Sequence, residues 1–407
     1  MRMFRHILLL TAVLLTVSCS SDSTLSEEKV IDTRTPMVFG TSYAQADTEV
    51  TRASSILEAD FKVGVWKAFG AADQQTVMDG YKVDYNATAT NKWNYVDIQV
   101  TGKPQQVERY WDLSAFPYEF RAVSPYLTDT EATVTPTGIT ITKPFQAQKM
   151  TDTGITPSDG SSEACVVAHV KRVKSGADYV DTDVIEHQEI NTTGQANATR
   201  EVHLPFHHLI SKVGFRIYID NPSPFQSDYS VSLQSIRITA KNATTGFIYG
   251  SSTYTATDAL AAGVFSNNST TANEHDLLNR TTPYTETIGG VTKNLDFHNH
   301  LNRAQAFDLT PGCLHQIPQE NVKLHVQLTM HSHHVESEDQ KFTYDSWLSL
   351  DRNNNTENQC DVFTWEREKR YIYYLHIPNL HGHDILLETC EILPWGEVES
   401  NNIDIKM

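Results

Sequence analysis

The chain has 407 residues, enough for two domains or three, because one core seldom organises much more than about 250 residues. Hydrophobic residues make up 39% and charged residues 20%, with 17 Tyr and 16 Phe, a balance too aromatic for a disordered chain and too polar for a multi-spanning membrane protein. A formal charge of −18 repels phosphate backbones, so no nucleic-acid partner is expected.

Residues 1–18 have the anatomy of a secretory signal: a basic start with Arg2 and Arg5, the apolar run Ile7 to Leu15, then Thr16-Val17-Ser18-Cys19. The apolar run is about half the ~20 residues that span a bilayer. Ser18-Cys19 resembles the lipobox of bacterial lipoproteins, in which cleavage precedes the Cys and the Cys is lipidated with palmitate-type chains. Thr16 departs from the Leu usual three residues before that Cys, and an ordinary cleaved signal is the alternative. Three acyl chains at Cys19 would supply the more-than-one-chain requirement for stable anchoring in the outer membrane. Residues 19–36 then form a polar tether, whose Ser20-Ser21-Asp22-Ser23 looks like the acidic stretch that directs some lipoproteins to the cell surface.

From residue 37 the period-two pattern of strands dominates. Met37-Val38-Phe39 is a short candidate; Phe61, Val63 and Val65 alternate with Lys62, Gly64 and Trp66; Tyr118, Phe120 and Ala122 share one face, as do Val213, Phe215, Ile217 and Ile219. The clearest case is 322–331, with Val322, Leu324, Val326, Leu328 and Met330 on one side. Turn chemistry separates these runs at Ser158 to Ser161, Asp220 to Pro224 and Asp351 to Asn355. Only Leu204 to Lys212 could hold a helical turn. The pattern predicts an all-β protein of half-buried antiparallel strands. A polar interval at 174–199 divides it into an N-terminal domain, 37–199, and a C-terminal domain, 200–407.

Side chains that invite an enzymatic or metal-binding reading are incomplete. His331, His333 and His334 lack a carboxylate or Cys at ligand spacing, so a solvated strand end is expected. Asp351, Asn353 and Asn355 begin like a calcium loop, but Thr356 and Val362 stand where Gly and Glu are required. His207-His208 lies next to apolar residues, where one of the two reads as a core-edge side chain. The chain contains no GxSxG, HExxH, Walker or GxGxxG motif, and no enzyme, cofactor or metal is expected. Beyond Cys19, Cys165, Cys313, Cys360 and Cys390 are widely spaced with no CxxC; Cys165 and Cys390 read as small buried apolar residues, and the pairing of the four stays open. The six Trp lie in strand-like runs and read as core.

Three separated segments carry a resemblance: ERYWDLSAFPYEFRAVSPY (108–126), LPFHHLISKVGFRIYI (204–219) and WEREKRYIYYLHIP…ILLETCEILPW (365–395), with VFG…TRA (38–53) also similar. Together with the lipobox they resemble the fimbrillin family of bacterial lipoproteins, subunits of type V pili. The resemblance implies two transthyretin-like β-sandwich domains in tandem, surface export, assembly by strand exchange, and a role as a structural or adhesive subunit of a fimbrium whose partners are other pilus subunits and a host or glycan ligand. In that family an arginine-specific protease removes the N-terminal strand of stalk subunits. Arg52 follows the 37–39 run and its cleavage would release it; Arg34 precedes the run and is the second candidate, while an exposed loop cation is the plain alternative for Arg52. At the other terminus Ile403, Ile405 and Met407 alternate with Asn402, Asp404 and Lys406, either as a donor strand or as the last strand of their own sheet. A surface glycan-binding lipoprotein of a nutrient-uptake system is the competing class, and clustered exposed Trp on one sheet face would support it.

Overall fold

The structure, a computed structural model, describes residues 35–44, 56–157, 165–190, 201–220, 229–251, 253–266, 270–334, 338–351, 353–380 and 384–395. Among the described residues there is no α-helix; two short 3-10 turns, Phe297–Asn299 and Arg303–Gln305, interrupt an otherwise all-β chain.

The first large sheet runs in the order Phe39–Tyr43, Val202–His208, Val166–Ser175, Tyr118–Ser124, Phe61–Lys67, Gln75–Tyr85, Trp93–Asn94, with Asp178–Asp183 and Gln188–Glu189 attached to the side. Its ladders are antiparallel except the first, where Phe39–Tyr43 runs parallel to Val202–His208. On one face Phe61, Val63, Val65, Tyr118, Phe120, Ala122, Val166 and Phe206 form a shared core. Alternation predicts solvent on the other face, but here a second layer covers it. The strands Ala132–Thr135, Gly138–Ile141, Thr253–Thr257 and Leu260–Ser266 form a small sheet whose Ile139, Ile141 and Tyr254 pack with Trp66, Val123 and Val167. Gly138 permits the approach, since a Cβ there would lie 2.2 Å from the Ala256 carbonyl oxygen.

Polar residues on the covered face are therefore buried and paired, as burial of charge requires. Lys62 is 1% exposed and donates to Asp129 Oδ1 and to the Ala132 carbonyl, both at 2.8 Å. Burial holds its pKa below the ordinary lysine value. Arg121 donates to Glu119 at 2.6 Å and to Asp258. On the opposite face, at the edge of the first core, fully buried Arg172 grips both oxygens of buried Asp181 at 2.6 and 2.8 Å while its guanidinium lies 4.6 Å from the Trp111 ring.

Two further sheets share the largest core. One contains Tyr229–Asn242, Gln319–His334 and Gln340–Trp347; the other contains Ser211–Ile219, Lys369–Ile377 and Leu386–Pro394. Val213, Phe215, Ile217, Tyr373 and Leu375 from the second meet Ile236, Leu324, Val326 and Leu328 from the first, the arrangement of a sandwich. Val322, Leu324, Val326, Leu328 and Met330 are all buried and their alternates are partly exposed, as the period-two pattern predicts.

The segment 204–212 is no helical turn. Val202–His208 ends in the first sheet, Leu209 and Ile210 turn, and Ser211–Ile219 begins in the other. Alternating Val202, Leu204 and Phe206, then Val213, Phe215 and Ile217, need two opposite faces, which only extended chain supplies. Strand pairing also runs backward along the chain: Gly138–Ile141 pairs with Thr253–Thr257, and Lys149–Thr151 with His275–Arg280.

Candidate functional site

The first strand is an edge strand that completes a core. Aromatic and hydroxylated residues favour extended chain over Phe39–Tyr43, and each of its five residues is registered against Val202–His208, from Phe39 opposite Val202 to Tyr43 opposite Phe206. Main-chain bonds extend the pairing: Val202 N–H donates to the Val38 carbonyl at 2.9 Å and Ala44 N–H to that of Phe206 at 2.8 Å. Upstream, Met37 N–H donates to the Arg109 carbonyl at 2.8 Å, and the Tyr95 hydroxyl donates to the Met37 carbonyl at 2.9 Å. Burial pushes the Tyr95 phenol up to about 12, which keeps it a donor.

Phe39 is fully buried and lies edge-on to Phe61, Tyr95 and Phe120 at 5.9 to 6.4 Å between ring centres; Met37 is 1% exposed beside it. Covering these two side chains contributes about 1.5–3 kcal/mol each. Thr41 Oγ1 donates to the Leu57 carbonyl at 3.2 Å, Ser42 Oγ lies 2.7 Å from His203 Nε2, and Tyr43 stacks on His208. Because the strand has, among the described residues, a ladder partner on one side only, its departure would leave an apolar slot beside the open main-chain groups of Val202–His208.

A column of rings joins this strand to the end of the described chain. The Tyr43 and His208 rings lie 5.0 Å apart, His208 and Trp395 4.3 Å, and Trp395 and His315 5.5 Å, with interplanar angles of 8°, 23° and 16°. Lys212 Nζ sits 4.3 Å from the Trp395 ring centre. Burial, reinforced by Lys212, holds His208 down at about 3 and His315 down at about 4, so both imidazoles are neutral and the ammonium is the charge facing the indole.

Cys19, Arg34, Arg52, Ile403, Ile405 and Met407 lie outside the described residues. The segment holding Arg52 links Tyr43, on the sheet edge, to Phe61–Lys67 within the same sheet. The histidine run falls on Gln319–His334, where His333 pairs with Asp339. The Asn-rich loop is a turn, with Asn353 N–H donating to Asp351 Oδ1 at 3.0 Å. Cys165, Cys313 and Cys360 are buried and Cys390 is half-buried; burial pushes the Cys165 thiol up to about 11 and the Cys390 thiol up to about 12, so these two stay protonated as apolar fillers. Trp66, Trp93, Trp111 and Trp365 are buried in cores rather than displayed on one face.

His207 has a role its sequence context does not reveal. It is fully buried, with Nε2 2.7 Å from Asp183 Oδ2 and Nδ1 2.8 Å from Glu368 Oε1, so the first sheet is tied to the turn preceding Lys369–Ile377. Burial lowers its affinity for a proton, but the pairing with Asp183 and Glu368 outweighs it and holds the imidazole at about 9. Its two partners stand 24 residues before and 161 residues after it, too far for any spacing rule to find.

The fimbrillin-like family profile matches residues 51–395. No curated protein sequence matches the chain at a significant level. Among solved structures, a fimbrial protein from Bacteroides vulgatus is similar with 13% identity and a TM-score of 0.50, over 89% of this chain and 99% of that one. A protein provisionally assigned to cell adhesion from Bacteroides ovatus is 11% identical with a TM-score of 0.43, over 90% and 99%. The fimbrial anchor protein Mfa2 from Porphyromonas gingivalis is 12% identical with a TM-score of 0.23, over 88% and 98%. The first likeness speaks to the fold, and the family rests on the profile, which spans most of the molecule: the chain belongs to the fimbrillin-like family.

Proposed function

We propose that the protein is a structural or adhesive subunit of a cell-surface pilus, exported as a lipoprotein anchored in the outer membrane at Cys19 and assembled with other subunits by strand exchange. The observation that carries this reading is the edge position of Phe39–Tyr43 combined with the complete burial of Phe39 in the first core. A strand held by one ladder and one set of apolar plugs is replaceable by another of similar pattern, because the acceptor needs only main-chain partners and alternate side chains. Cleavage at Arg52 would detach the strand, whereas cleavage at Arg34 would leave it attached. The segment 401–407, with Ile403, Ile405 and Met407, is the donor for a neighbour. With domains of residues 37–199 and 200–407, the removable strand then belongs to the first and the donor segment to the second.

Surface filaments would be collected from cells expressing the wild type, Arg52→Ala, Cys19→Ala and the pair Ile403→Asp with Ile405→Asp. The wild-type filament subunit should begin at Ala53, Arg52→Ala should stay uncut with filaments lost, the uncut membrane-bound precursor should take up a fatty-acid label that Cys19→Ala loses, and the terminal pair should fold but not polymerise. Undiminished filaments from Arg52→Ala and from the terminal pair would overturn strand exchange at these segments.

A further inference from the structure

Two clusters of imidazole and carboxylate groups stand at ligand distance among the described residues, Glu119 with His169 and Asp258, and Glu186 with His207 and Glu368. The first already holds a cation. Arg121 Nη2 reaches both Glu119 Oε1 and Asp258 Oδ1, the same oxygens a metal would need. In the second, Arg367 Nη2 reaches only one of the ligand atoms, Glu186 Oε1 at 2.8 Å, and leaves Glu368 Oε1 and His207 Nδ1 facing each other. Glu368 is 6% exposed and His207 fully buried, yet neither Glu368 Oε1 nor His207 Nδ1 has a hydrogen-bond partner: the two atoms are 2.8 Å apart but out of line for a hydrogen bond.

We propose that His207 Nδ1, Glu368 and Glu186 form a binding site for one divalent transition cation of the zinc class. Asp183 takes the Nε2 side of the imidazole at 2.7 Å and is itself held by Ile185 N–H at 3.0 Å, so Nε2 keeps its proton and a cation would take Nδ1, displacing the second ring proton. Glu186 Oε1 lies 3.8 Å from Nδ1 and Glu368 Oε1 2.8 Å, values on either side of the roughly 3.4 Å that separates ligand atoms around a tetrahedral ion with bonds of about 2.1 Å. Two carboxylates and one imidazole leave a fourth position for water, and Glu186, 46% exposed, opens the route from solvent.

Charge balance favours the metal. Asp183, Glu186 and Glu368 surround the ring, and Arg367, 2.8 Å from Glu186, is the one permanent cation that pairs with them among the described residues. A doubly protonated imidazole leaves one negative charge in excess; a divalent ion on a neutral imidazole leaves none. The ion would fasten the first sheet to the turn that carries Glu368, whose backbone is held by Glu368 N–H donating to the Ile210 carbonyl at 3.1 Å.

The test uses the full chain in a non-ionic detergent, stripped of metal and then titrated with zinc chloride by calorimetry and equilibrium dialysis. The wild type should bind one zinc per chain. Glu186→Gln, a change at a half-exposed side chain that leaves the circular dichroism unchanged, should weaken that binding at least tenfold. The variant combining His331→Gln with His333→Gln, which clears the histidine run, should bind as the wild type does. No stoichiometric zinc in the wild type would mean that a proton alone fills the site. Equal affinity in Glu186→Gln, or loss of binding in the His331 and His333 variant, would equally overturn the proposal.

Discussion

Tyr43 stacks on His208 with ring centres 5.0 Å apart and planes 8° from parallel, so the last residue of the first strand rests on the same imidazole that Trp395 covers from another side at 4.3 Å. Both ends of the described chain thus depend on one neutral ring. Tyr43→Ala should cost about 0.5–1.5 kcal/mol beyond the lost area, and amide exchange at Ala44 and Trp395 should quicken together. Exchange that changes at Ala44 alone would show that the column does not couple the two ends.

Phe39 is the largest fully buried side chain of the first strand. Phe39→Ala leaves a cavity among Phe61, Tyr95 and Phe120 and should destabilise the protein by about 3–5 kcal/mol in urea denaturation. Val38→Ala, on a half-buried side chain of the opposite face, should cost under about 1 kcal/mol. Equal losses would contradict the assigned faces.

The Arg172 and Asp181 pair, both fully buried, is costly to break and cheap to replace. Asp181→Ala should cost about 3–5 kcal/mol by leaving the guanidinium uncompensated, and Arg172→Met with Asp181→Leu should recover most of it. A double-variant cycle in guanidinium chloride measures the coupling; additive losses would refute it.

Buried His315 sets a limit at low pH. Its folded pKa of about 4 lies below the ordinary histidine value, so the unfolded chain binds a proton that the folded one does not. Its contribution to stability is complete above about pH 6.5 and is lost as pH falls toward 4, by about 1–3 kcal/mol. Melting curves from pH 7 to pH 4 should show a shallower decline in His315→Gln than in the wild type, and parallel declines would contradict the assignment.

Strand content was legible because period two is local: the face of 322–330 is decided by five side chains within nine residues, and the structure buries all five. The ordered motifs at 108–126, 204–219 and 365–395 likewise carried the family, since they lie within the matched span. The two-sided burial of Phe61–Lys67 was not legible, because the layer over its second face comes from residues 132–141 and 253–266. Nor could any local pattern pair Phe39 with Val202 in parallel, or bring Asp183, Glu186 and Glu368 to His207. The amino-acid order by itself determined the all-β character and, for alternating runs such as 322–330, which face is apolar, through sterics and the alternation of side chains. Which edge is left open, which charges meet and which rings stack were decided by closure of separate segments, many of them more than a hundred residues apart, where the free energy comes from shared burial that no single segment possesses.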